Sequence, residues 1–144
     1  MLRPMRWFLL PFALTALPRT ALPQGTMRLT GVFGDLHYME EAGDVIGTEI
    51  IVSRTASGYR VTFQDAEGEP GPVDTVPATI RGDSLFFELP PDTVRRRQAN
   101  GTVSITLRPR SFRGRIMATR LHGHISSWGR DLDLPRRAKS ARLP

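Results

Sequence analysis

From residue 27 onward the apolar residues of this chain recur at period two rather than 3.6, and turn residues interrupt them about every eight to twelve positions. That pattern predicts short antiparallel strands and no long helix outside the N-terminal segment. In "TEIIVSR" Ile50 and Val52 alternate with Ile51 and Ser53. Ser57 and Gly58 then turn the chain into "YRVTFQD", where Tyr59, Val61 and Phe63 share one face, so the two segments predict a hairpin. "AEGEPGPVD" reads as a loop, because Pro70 and Pro72 cannot donate to a ladder. "VPATIRGDSLFFELP" reads as strand, Gly82-Asp83 turn and strand, with Leu85, Phe87 and Leu89 pointing one way. "PDTVRRRQANG" reads as a polar loop. After it, "TVSITLR" sets Val103, Ile105 and Leu107 against threonine and serine, and "SFRGRIM" puts Phe112, Gly114 and Ile116 on one face. "RLHGHIS" and "DLDLP" form the last strands, with Trp128 and Gly129 at the turn between them.

With "MRLTGVF" added, the count is about eight or nine strands. A weak self-similarity accompanies them, matching Ile80, Leu85 and Leu89 to Ile116, Leu121 and Ile125, and both stretches are strand, turn, strand. Consecutive hairpin-linked strands remove their exposed edges by closing on themselves. The expected fold is therefore all-β, an antiparallel up-and-down meander of about eight strands closing into a small barrel, with a two-sheet β-sandwich as the alternative.

The first 25 residues do not follow this pattern. Arg3 and Arg6 precede an apolar run from Trp7 to Leu17, as in a secretory signal, and the run is too short for an ordinary membrane-spanning helix. The division expected is a signal peptide over 1–25, one β-barrel domain over 26–137 and a basic C-terminal tail over 138–144, with no transmembrane span in the mature form. The chain has no cysteine, which excludes disulfides and a lipoprotein anchor. Export without disulfides points to a bacterial envelope protein, periplasmic or secreted.

Net charge is +6, but its distribution matters more. Residues 22–93 hold four arginines against twelve carboxylates, whereas residues 94–144 hold twelve arginines and Lys139 against Asp131 and Asp133. Either the two halves neutralise one another on folding, or the second half presents a basic face to an anionic partner.

"LTGVFGD", residues 29–35, resembles the first strand of lipocalin-type barrels, whose Gly-x-Trp motif corresponds here to Gly31-Val32-Phe33. "GDSLFFEL", "FRGRI", "RLHGHIS" and "LDLPRR" are together similar to small exported bacterial β domains in which a Gly-Asp-x-Leu turn-strand repeats. The resemblance implies a barrel able to hold a small apolar molecule. Phe33, Tyr59, Phe63, Phe87, Ile105, Phe112 and Leu121 are the residues that would line such a site.

Other chemistry finds less support. His122 and His124 share the outward face of one strand, but zinc needs at least three protein ligands and the remaining histidine, His37, is distant in sequence, so no metal is expected. Neither Gly-x-Ser-x-Gly nor Ser-x-x-Lys occurs, and there is no phosphate-cradling glycine loop or dinucleotide fingerprint. A non-catalytic protein without a cofactor is the expectation. The arginines carry the stronger signal. Arg95, Arg96 and Arg97 cluster in sequence, and Arg113 and Arg115 share an outward face, forming a candidate anion-binding patch. An anionic envelope component or an acidic protein fits that chemistry. Nucleic acid does not, because the aromatic interleaving of a single-strand binder is missing.

Overall fold

The alternation is realised as nine antiparallel strands. A computed structural model describes residues 27–140, in which the strands are β1 (Gly31–Gly34), β2 (His37–Met39), β3 (Asp44–Thr55), β4 (Gly58–Gly68), β5 (Asp74–Arg81), β6 (Ser84–Arg97), β7 (Val103–Ile116), β8 (Arg120–Ile125) and β9 (Arg130–Arg137). From β3 to β9 each strand pairs with the next, and the short β1 pairs with both β9 and β3, closing eight strands into a barrel. The ninth strand, β2, continues beside the first residues of β3. The signal-peptide expectation falls on residues outside those described. Among the described residues no helix is long and apolar enough to cross a membrane.

Between β1 and β2 the chain bends at Asp35, whose backbone N–H donates to the Thr48 carbonyl at 3.0 Å while its carboxylate accepts the Thr48 N–H at 2.8 Å. Gly47 makes this approach possible, with φ of +107° and only 2.8 Å between a notional Cβ and the Asp35 carbonyl oxygen.

Inward positions are the ones the alternation marked. Phe87 stacks on Phe112 with ring centres 4.9 Å apart and planes 16° from parallel, and Phe63 lies 6.4 Å from Phe87 and 6.0 Å from Trp128. Phe112 lies over Gly114 and Gly123, which face one another across β7 and β8, and a Cβ on either glycine would overlap the ring. Two missing side chains thus make room for one large one. Residues 138–140, the described part of the basic tail, return to the wall, where the Ser140 hydroxyl donates to the buried Glu49 carboxylate at 2.5 Å.

The structure corrects the expected loop at "PDTVRRRQANG". β6 runs on through Arg97, and the turn is confined to residues 98–102. β5 accompanies β6 only as far as Phe87, and β8 meets β7 only from Phe112, so residues 92–97 and 103–108 pair with each other alone. They leave the barrel as a two-stranded ribbon, about 20 Å long at the ordinary strand rise. The register slips between Leu89 and Asp92, where Pro90, Pro91 and Pro109 supply no N–H to a ladder.

Candidate functional site

β7 passes from barrel to ribbon without a break, so its odd-numbered residues stay on the outer face throughout. Phe112, Gly114 and Ile116 point into the barrel; Val103, Ile105 and Leu107 therefore point to solvent, at 51, 62 and 61 % exposure. Ile105 is thus removed from the candidate apolar-ligand lining. The other members of that set are core: Phe33, Phe63, Phe87, Phe112 and Leu121 are at most 1 % exposed, and Tyr59 packs half-buried against them with Arg54 5.8 Å from its ring centre. These side chains pack against one another.

The five candidate anion-binding arginines are sorted by the same geometry. Arg95 pairs with Ile105 and Arg97 with Val103, so both stand on the outer ribbon face beside the exposed aliphatic row. Arg96, opposite Ser104, lies on the other face with Val94, Thr106 and Arg108. Arg113 and Arg115 share the outer surface, but far down the wall, with five residues of β7 between Leu107 and Arg113. There Arg113 stacks 5.4 Å from the centre of Phe86, and Arg115 donates from Nε and Nη2 to Asp83 Oδ2 at 3.0 and 2.5 Å. That contact holds the Asp83 carboxyl below its usual range and raises the Arg115 guanidinium. Three separate environments replace one patch.

Ion pairs are few among the described residues, and Arg54, Arg60, Arg81 and Arg113 on the wall form none within 4.0 Å. On the wall Arg115 meets Asp83 and Arg120 meets Asp133 at 2.7 Å, and at the root of the ribbon Arg110 meets Asp92 at 3.3 Å. Among the described residues, Arg95, Arg96, Arg97 and Arg108 make no ion pair within 4.0 Å. From Val94 to Arg108 the chain contains these four arginines and no carboxylate. Two of these pairs, Arg115–Asp83 and Arg110–Asp92, join the two charged halves of the sequence, while Arg120–Asp133 lies within the second half, and the stretch from Val94 to Arg108 stays cationic.

His122 and His124 are exposed on β8, facing Asp133 and Asp131 of β9, and His124 Nδ1 lies 3.1 Å from Asp131 Oδ1. His37 is elsewhere, on β2, its Nδ1 bonded to the Asp35 carbonyl at 2.6 Å. Among the described residues no group of three or more His, Cys, Asp or Glu side chains is placed to hold a metal.

Sequence reasoning missed Val103 and Leu107 as surface residues and missed the places that Arg110 and Arg136 take at the ends of the barrel. Each of these two guanidiniums lies over a core phenylalanine at an end of the barrel: Arg110 is 5.6 Å from the Phe63 ring centre and Arg136 is 4.5 Å from that of Phe33. A signal for the aliphatic row was present, since apolar positions shift from odd to even numbers between Leu107 and Phe112 within one period-two run. Comparison of the chain with protein-family models, with curated proteins and with solved structures gave no match.

Proposed function

We propose that the protein is a non-catalytic interaction module of the cell envelope, exported to the periplasm or beyond, that binds an anionic partner through its basic outer surface. The reading rests on one observation above all: four arginines without an ion-pair partner, on a stretch from Val94 to Arg108 that contains no carboxylate, project from the barrel on a ribbon. Guanidinium groups recognise phosphate and carboxylate by paired N–H donors, and unpaired exposed ones lose little desolvation energy on meeting them. The N-terminal leader composition and the lack of cysteine support export.

The test is retention on an immobilised polyanion. Wild type is expected to elute at higher salt than the variant R95E/R97E, whereas R115E, which disturbs an arginine already paired with Asp83, shifts elution less. Equal elution of all three proteins would overturn the reading.

A further inference from the structure

The outer face of the ribbon carries more than charge. Val103, Ile105 and Leu107 form a row along β7, and directly across from them stand Arg97, Arg95 and Thr93. The opposite face holds Ser104 and Thr106 against Arg96 and Val94. Cations and exposed aliphatics are therefore interleaved at one level on one side, with a mostly polar surface behind them.

The geometry points to an anionic lipid bilayer as the surface this face meets, with the three aliphatic side chains entering the headgroup boundary while Arg95 and Arg97 hold lipid phosphates beside them. This deepens the anion-binding reading and rests on it. A soluble polyanion would use the arginines and leave the aliphatics in water. An apolar ligand or groove would use the aliphatics and leave two cations without partners. In an anionic bilayer phosphates lie just above the first methylenes, so both groups are satisfied at once, as for amphipathic segments that lie in the interface. A second copy of the ribbon fits poorly, because each brings four arginines and no carboxylate between Val94 and Arg108. The long guanidinium stems also let the charge stay at phosphate level while the strand sinks beneath it.

The absence of cysteine gives a site-specific test in the full chain. The variants I105C and T106C are each labelled with an environment-sensitive fluorophore, placing the reporter on the outer and the opposite ribbon face respectively. On vesicles of phosphatidylcholine with about a third phosphatidylglycerol, the label at 105 is expected to shift to the blue and to be quenched by nitroxide-bearing lipids, the label at 106 much less, and neither on pure phosphatidylcholine. R95E/R97E in the I105C background should reduce partitioning at least about thirtyfold, and L107S about tenfold. Far-ultraviolet circular dichroism of each variant checks that the sheet is retained.

A label at 105 that stays in water on anionic vesicles, from a protein still retained by the polyanion resin, overturns the lipid inference and leaves the anion-binding reading standing. Failure on both surfaces removes both. An equal response on neutral vesicles, or one that grows with protein concentration in the absence of lipid, assigns the face to a purely apolar contact or to a second copy, and overturns the inference as well.

Discussion

Two arginines cap the two ends of the barrel, and they are held in opposite ways. Arg136 donates to main-chain carbonyls from separate parts of the fold: Thr30 at 2.8 Å, Arg28 at 2.6 Å, Ala118 at 2.8 Å and Met117 at 3.4 Å. Gly31 leaves room for it, since a Cβ there would overlap the guanidinium. Burial, with Arg28 nearby, pulls its pKa below the usual guanidinium value. At the ribbon end, Arg110 has a side chain only 10 % exposed and answers to carboxylates, with Asp92 at 3.3 Å and Asp65 near enough to feel its charge. Its buried Nε has no acceptor among the described residues. Carbonyls of the main chain neither titrate nor swing away, so Arg136 ties the N-terminal segment to the β7–β8 turn. Carboxylates do both. The first arrangement is a fixed closure, the second a polar joint at the root of the ribbon.

Substituting the two arginines separates these roles. R136M leaves several carbonyls without their donor and detaches β1 from the turn, and should cost about 3 kcal/mol in urea unfolding. R110M gives up the contacts with Phe63 and Asp92 but also removes an unsatisfied buried N–H, and Asp92 keeps access to water, so the cost should be about 1 kcal/mol. Equal costs would erase the distinction between the two ends.

A smaller effect comes from Asp65. Burial raises its carboxyl pKa, the attraction of Arg110 opposes the rise, and Glu67 and Asp92 add to it. The folded state therefore binds this proton more tightly than the unfolded chain. The destabilisation is present at neutral pH and is relieved as pH falls through the raised value. D65N should stabilise at pH 7 by at most about 0.5 kcal/mol after solvent screening, with the gain vanishing in acid. In R110M the Asp65 carboxyl should titrate higher still, which carbon-detected NMR would show. The smallest effect belongs to the exposed Asp83–Arg115 pair. Its contribution is present above the ordinary carboxylate pKa and lost as pH falls through the lowered one. D83N should leave the Tm at neutral pH almost unchanged.

The barrel was legible because its signal is local. Alternation in Tyr59–Val61–Phe63, in Leu85–Phe87–Leu89 and in Leu121–Gly123–Ile125 names the inward face directly, and the Gly82-Asp83 turn lies where it was expected. The ribbon was not, because alternation says only that two faces differ. Val103, Ile105 and Leu107 alternate as cleanly as any core strand, and only pairing with β6 alone, without β5 or β8, reveals that nothing covers them. Arg95 to Arg97 fall in a stretch that reads as a polar loop, yet arginines suit a ribbon edge, where charge discourages pairing with another chain. The end caps were invisible for a different reason. Arg136 meets carbonyls more than a hundred residues earlier, and no spacing in the sequence encodes that meeting.

Beyond the register slip at Leu89 and Asp92, residues 92–97 and 103–108 pair only with each other, so the length of the ribbon is independent of that of the barrel. Above it, adding or removing one residue pair on each strand at a time moves the turn by about 7 Å per two pairs and preserves which side chains face outward if two pairs change together. Below it, every inward contact of the core keeps its place. The distance between the wall and the tip is thus adjustable by insertions that the barrel does not feel, so reach could diverge between descendants of this sequence while the scaffold stayed the same.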